Sequence, residues 1–173
     1  MLWHYAKLKW QDTQGEAAAS LVPDIGYLQR NKTETTVTWV GHTSAFLQVA
    51  GLNVLIDPNF SSQLGSLGWL APKRQQAPGL LISELPPVDV VFISNNQYDR
   101  LDEASMRELA AQHQPLFVVP RGVDKLLKSW GIAKVTALDA WGKLEVKGVQ
   151  LQMTPAQTPS WRFKPAAKQS ASG

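Results

Sequence analysis

The sequence lacks cysteine altogether and contains only three histidines among its 173 residues. Without cysteine the chain can form no disulfide, and it has neither a thiolate metal ligand nor a cysteine nucleophile. The histidines, His4, His42 and His113, are too far apart to form a motif with metal-ligand spacing. We therefore predict no metal site from these residues, and we expect His4 and His113 at the surface.

Long apolar runs and clusters of one charge are also missing. No segment approaches the length of a transmembrane helix, and the opening residues, MLWHYAKLKWQ, have neither the apolar core nor the cleavage site of a signal peptide. The 17 basic and 14 acidic residues give a net charge of +3 and are scattered along the chain, unlike the pattern of a nucleic-acid-binding surface. We expect a chain with no transmembrane segment and no nucleic-acid partner. A cytoplasmic location is favoured, with the periplasm as the alternative.

The apolar pattern from Thr35 onward predicts an α/β domain with a mixed sheet. The runs TTVTWV, SAFLQVA and LNVLID favour strands, and Ala50-Gly51 marks a hairpin turn. VDVVFIS and LFVVP are continuous apolar runs, as in strands that are covered on both faces. Helical periodicity follows the capping residue Asp102 and recurs in GVDKLLKSWG, and KLEVKGVQLQM predicts a second hairpin.

The domain boundaries follow from composition. Residues 1–34 are interpreted as an N-terminal arm with little regular structure, residues 35–161 as the folded domain, and residues 162–173 as a disordered tail of small and polar residues. Residues 58–87 form a long irregular segment between strands, which is typical of a functional loop.

Six segments carry a resemblance to a known family. TVTWVGHTSAFLQVAGLNVLIDPNFS, APKR, ELPPVDVVFISNNQYDRLD, FVVPRGV, LDAW and TPAQ resemble, in order and spacing, the metallo-β-lactamase fold and its branch related to N-acyl-phosphatidylethanolamine phospholipase D. The resemblance implies the N-terminal half of an αββα sandwich, with a mixed sheet and helices on one face. It ends near Trp161, and we expect a partial domain because the family's second half has no counterpart.

The resemblance also implies descent from zinc hydrolases, whose signature His-x-His-x-Asp-His follows a buried strand. The corresponding positions hold Asn95, Gln97, Asp99 and Arg100, and a later ligand position holds Thr158, so only Asp99 matches. Amide oxygens suit harder cations than zinc, and a guanidinium has no lone pair and stays charged. We therefore expect a degenerate zinc site and no cofactor, although the family uses zinc.

Three functional hypotheses remain open. The first is a non-catalytic relative of a zinc-dependent lipid phosphodiesterase. The second is an active hydrolase of an ester or phosphodiester lipid that uses Asp99, Tyr98 and His42 without a conventional metal site. Structural roles compete with this one: capping or the helix dipole for Asp99, packing for Tyr98 and a hydrogen-bonded position for His42. The third is an interaction subunit.

A ligand and a partner are also expected from the resemblance. Lys73, Arg74 and Trp69 on the long loop are candidates for contacting an anionic lipid or ester ligand, with a solvated loop as the alternative. A half-sandwich leaves one apolar sheet face uncovered, and an exposed apolar face favours a partner. We expect a homodimer or a separate partner chain at that face.

Overall fold

The structure is a computed structural model that describes residues 23–63, 74 and 76–155. The elements of these residues, in chain order, are α1 (Ile25–Arg30), β1 (Thr36–Gly41), β2 (Ser44–Val49), β3 (Leu52–Ile56), a 3-10 helix (Ile82–Glu84), β4 (Val90–Phe92), α2 (Glu103–Gln112), β5 (Leu116–Pro120), α3 (Val123–Ser129), β6 (Val135–Leu138), β7 (Lys143–Val146) and β8 (Val149–Gln152).

The predicted α/β class and mixed sheet are confirmed. Six strands form one sheet in the order β1-β2-β3-β4-β5-β6, and β7 and β8 form a separate pair. The first three strands are antiparallel, whereas β3, β4, β5 and β6 run parallel to one another. The carboxyl ends of these parallel strands therefore meet at one edge of the sheet.

Both predicted hairpin turns occur, and their residues have the backbone conformation that such turns need. Ala50 and Gly51 have φ angles of 48° and 75°, and Lys147 and Gly148 have φ angles of 49° and 78°. Positive φ at both central residues is the type I′ geometry, whose twist matches that of the flanking strands.

The helices lie on one face of the sheet, as expected. The core on this face joins side chains of all three described helices to inward residues of the strands. Met106 and Leu109 of α2 are fully buried there, as the helical periodicity predicts. Burying one such side chain stabilises the fold by about 1.5–3 kcal/mol. This core fixes α2, and with it the segment that leads from β4 into α2.

The opposite face of the sheet is partly covered by the β7–β8 hairpin. Side chains of the hairpin pack on a second apolar cluster formed by β3, β4, β5 and β6, which includes Val54, Val90 and Val118. Val37 and Trp39 on β1 remain 71% and 62% exposed. The hairpin thus reduces the apolar area that this face of the sheet could offer to a partner. The partner itself stays a prediction.

Two local expectations differ from the structure. Residues 25–30, assigned to an irregular arm, form α1, because Asp24 caps Tyr27 N at 2.8 Å and Leu28 is buried in the core. His113, expected at the surface, is half-buried, and its Nδ1 lies 3.4 Å from Val88 N and its Nε2 3.0 Å from Ile82 O. The tail 162–173 lies outside the described residues.

In the part of the chain described, no helix is long and apolar enough to cross a membrane.

Candidate functional site

The candidate site lies at the edge of the sheet where β3 and β4 end. Asp57 directly follows β3, Ser94 lies two positions after the end of β4, and residues 95–101 lead on to α2. Ala45 pairs with Ile56, so the turn before β2, which contains His42, reaches the same edge. Ligands of open α/β sheets commonly bind outside the carboxyl ends of parallel strands.

The buried Asp57 carboxylate is at the centre of this edge. Ser94 donates its backbone N–H to Oδ1 at 2.7 Å and its hydroxyl to Oδ2 at 2.6 Å. Arg100 Nη1 lies 3.7 Å from Asp57 Oδ2. Burial raises the pKa of Asp57 above its usual range, and the Ser94 hydrogen bonds and Arg100 oppose that rise.

His42 and Asp99 form a second, more accessible pair. His42 Nε2 lies 3.0 Å from Asp99 Oδ2, and the two side chains are 29% and 38% exposed. His42 sits in a turn with a φ of 52°, and its carbonyl accepts a hydrogen bond from Trp39 Nε1 at 3.0 Å. The structure thus brings together two of the three residues predicted to be catalytic, which are 57 positions apart in sequence.

The third of these residues, Tyr98, is half-buried in the segment between β4 and α2, and hydrogen bonds within this segment hold it in a turn. Asn95 Oδ1 accepts from Gln97 N at 3.0 Å, and Arg100 N and Leu101 N both donate to Gln97 O. The amide oxygen of Asn95 therefore has a local structural partner.

Arg74, predicted to contact a substrate, is bound to the protein backbone. Its Nε donates to Gln76 O at 2.9 Å and its Nη1 to Asn59 O at 2.6 Å. Arg74 thereby ties the long loop to the segment after β3, and a role in binding substrate stays a prediction. Lys73, Trp69 and Thr158 lie outside the described residues.

The residues that the structure describes do not fit a zinc ion. They contain no group of three or more His, Asp or Glu side chains placed to hold a metal. Both Asp57 oxygens accept hydrogen bonds from Ser94, Asp99 faces His42, and Arg100 brings a positive charge beside Asp57. Zinc is bound by three or four imidazole, thiolate or carboxylate donors that converge on one point. The three such side chains described at this edge, His42, Asp57 and Asp99, are not placed to share one ion.

Sequence reasoning missed Asp57 and Ser94 as parts of this site. In the sequence, Asp57 is only the last residue of the strand run LNVLID, and Ser94 ends the run VDVVFIS with no predicted role. The available signal was positional, since both residues follow neighbouring parallel strands and therefore meet at one edge.

A family model described as a beta-lactamase superfamily domain matches residues 52–173. The chain belongs to the beta-lactamase superfamily. The chain is also similar in sequence to individual proteins. It is 34% identical over 129 residues to an uncharacterized protein of Mycobacterium tuberculosis, a match that covers 73% of this chain and 35% of the relative.

Two further relatives carry functional names. The chain is 34% identical over 110 residues to the mitochondrial N-acyl-phosphatidylethanolamine-hydrolyzing phospholipase D of Saccharomyces cerevisiae, covering 64% of this chain and 23% of the yeast protein. It is 27% identical over 120 residues to a UPF0173 metal-dependent hydrolase of Methanopyrus kandleri, covering 69% and 46%. This superfamily member thus spans about a third of the length of the first relatives it matches.

Solved structures support the metallo-β-lactamase fold. Igni18, a metallo hydrolase from Ignicoccus hospitalis, superposes with a TM-score of 0.55 at 18% identity, covering 73% of this chain and 51% of that chain. CmlA, a diiron β-hydroxylase from Streptomyces venezuelae, also superposes with a TM-score of 0.55, at 20% identity, covering 70% of this chain and 24% of that chain. These similarities establish the fold, of which this superfamily member covers a part.

Proposed function

We propose that this chain is a non-catalytic member of the metallo-β-lactamase fold whose zinc site has been lost. The observation that carries the proposal is which residues occupy the family's metal-ligand positions after β4. Asn95 and Gln97 offer amide groups, Asp99 lies 3.0 Å from His42, and position 100 is an arginine. In relatives that hold zinc, the ion generates a nucleophile from bound water near neutral pH.

Electrostatics supports the same proposal. A guanidinium about 4 Å from a divalent cation costs roughly 8 kcal/mol at an effective dielectric constant of about 20. Asp57 and Asp99 would offset part of that repulsion, but each already faces a positively charged or titratable partner. The net preference of this edge for a bound dication is therefore low.

The test is zinc binding by the purified full chain. We expect elemental analysis to find no stoichiometric zinc, and calorimetric titration at neutral pH to find no binding at micromolar zinc. The matched variant Asn95→His/Gln97→His/Arg100→His restores the signature His-x-His-x-Asp-His around Asp99 and is expected to bind zinc. Stoichiometric, tight zinc in the unaltered chain would contradict the proposal.

The accessible His42–Asp99 pair favours one alternative, a metal-independent hydrolase. A histidine held by a carboxylate can act as a general base toward water, and general-base catalysis contributes about 10²–10⁴-fold. Neither Ser44 nor Ser94 is available as a nucleophile for His42 to activate. The Ser44 hydroxyl donates to Asp57 O, and the Ser94 hydroxyl donates to Asp57 Oδ2. Water is therefore the nucleophile that this pair would activate.

Turnover of ester and phosphodiester lipids in the presence of a chelator tests the alternative. If the pair is catalytic, Asp99→Asn and His42→Gln each reduce the rate by at least about 10²-fold. Glu145→Gln serves as control, because Glu145 is an exposed acid on β7, close to the turn residue Lys147, which pairs with Asp89 at the other end of β4. The same low rate in all variants would exclude the alternative and agree with a non-catalytic chain.

A further inference from the structure

The Asp57 carboxylate needs a counter-charge as well as hydrogen bonds. Its side chain is only 4% exposed, and Ser94 supplies one hydrogen bond to each oxygen. Both of these donors are neutral, so they solvate the carboxylate without balancing its charge. A buried charge is strongly unfavourable unless it is also paired.

Arg100 is placed to provide that charge. Its Nη1 lies 3.7 Å from Asp57 Oδ2, and its side chain is two-thirds buried at 33% exposure. The separation exceeds a hydrogen bond, so the interaction acts through charge and not through a shared proton. A long basic side chain on a loop ordinarily extends into water, whereas this one is directed toward the sheet edge.

Contacts of the neighbouring residues place the backbone of Arg100 at the sheet edge. Arg100 N donates to Gln97 O at 3.0 Å, and Asn59 Nδ2 donates to Asp99 O at 2.9 Å. Leu101, the next residue, is 1% exposed and belongs to the core on the helix face. Contacts on both sides of position 100 thus hold the backbone where the Arg100 side chain reaches Asp57.

We propose that Arg100 is a permanent internal cation, which balances the buried Asp57 carboxylate and holds residues 94–101 in place without a metal ion. The inference rests on the proposed function in one respect, since it takes this edge to be metal-free. It goes further by giving Arg100 a stabilising role. The arginine at this ligand position supplies the positive charge that a metal would otherwise bring.

A double-mutant cycle tests the pairing. The variants are Arg100→Met, Asp57→Asn and the combination, and urea unfolding gives the equilibrium constant of each. In the unaltered background we expect Arg100→Met to raise the equilibrium constant for unfolding at least about tenfold. When Asp57→Asn is also present, we expect Arg100→Met to change that constant by less than about threefold. Lys128→Met is the control, because Lys128 pairs with Asp124 at an exposed site and its loss is expected to stay within about threefold.

The cycle decides the proposal whichever variants fold. If Arg100→Met alone does not fold but the combination does, the pairing is supported directly. Equal effects of Arg100→Met in both backgrounds, or an effect no larger than that of Lys128→Met, overturn it. If neither variant that carries Arg100→Met folds while Asp57→Asn does, the role of Arg100 does not depend on Asp57 and the proposal is also wrong.

A second readout addresses the metal. Amide hydrogen exchange of residues 94–101 is expected to be the same with chelator and with added zinc, and to accelerate at least about tenfold in Arg100→Met. Protection that depends on zinc would overturn the inference. Zinc binding at another position, with exchange here unchanged, would overturn only the proposed loss of zinc, so the two failures can be distinguished.

Discussion

At the scale of the residue, Asp57 gives the site a defined dependence on pH. Burial raises the pKa of Asp57 above its usual 3.8, and the Ser94 bonds and Arg100 reduce that rise while Asp99 adds to it. The folded state therefore binds more protons than the unfolded state between the two pKa values. Stability contributed by this group falls as pH rises through that interval and is level above it.

Asp57→Asn removes this titration and serves to measure it. We expect the free energy of unfolding of the unaltered chain, relative to the variant, to decrease as pH rises from about 3 toward neutrality. Urea unfolding at matched pH values gives the difference, in which the other acids largely cancel. If the unfolding free energies of the unaltered chain and the variant ran parallel across this pH range, Asp57 would have the same pKa in the folded and unfolded states, which would contradict the prediction.

The sequence could identify some residues of the site but not their pairing. Asp99 and His42 were found from the resemblance, and the chemistry of Asn95, Gln97 and Arg100 follows from residue type alone. The contact between Asp57 and Ser94 joins positions 37 residues apart. Such a contact depends on which strands become neighbours, and local patterns do not encode that.

At the scale of the element, the start of α2 depends on a single carboxylate. Asp102 Oδ2 accepts from Ser105 N at 2.9 Å, from Ser105 Oγ at 2.6 Å and from Ser61 Oγ at 2.7 Å. It therefore caps the helix and also ties it to the segment after β3. The sequence predicted the cap because acids are favoured there, but it gave no sign of Ser61.

Asp102→Ala is expected to lower the free energy of unfolding by about 1–2 kcal/mol, the usual cost of losing an N-cap. Asp102→Asn is the matched control, because asparagine keeps an acceptor oxygen and caps about as well as aspartate, and it should lose less than half as much. Chemical denaturation of the two variants measures both. Equal losses would mean that the charge at position 102, and not the capping acceptor, stabilises this end.

The elements themselves were predictable where local chemistry decides them. The type I′ turns, the cap of α2 and the periodic stripe of α3 each have a sequence signal within a few residues. The short helix α1 was missed, because six residues contain too little periodicity and its stability comes from burying Leu28 against distant strands. Tertiary packing, and not propensity, provides most of the stability of so short a helix.

At the scale of the whole molecule, one apolar row crosses the sheet from a covered to an open end. Val37 pairs with Leu47, Leu47 with Val54, and Val54 with Val90. Val54 and Val90 are 2% and 0% exposed, whereas Val37 is 71% exposed. The row therefore continues beyond the cover that the β7–β8 hairpin provides, and it ends on an edge strand with no charged residue in TVTWVG.

An uncharged, apolar edge strand is a site for association between chains, and we predict that a second copy of this chain is the partner. The average mass in sedimentation equilibrium should then rise with protein concentration.

Val37→Lys should return the chain to a single copy, because an ammonium group on this row would have to be buried unpaired. Trp141→Lys is the control: Trp141 is 63% exposed and follows β6, at the opposite edge of the sheet from β1, so association should persist. A single-copy mass at every concentration would contradict the prediction, and association that persists in Val37→Lys would locate the contact elsewhere.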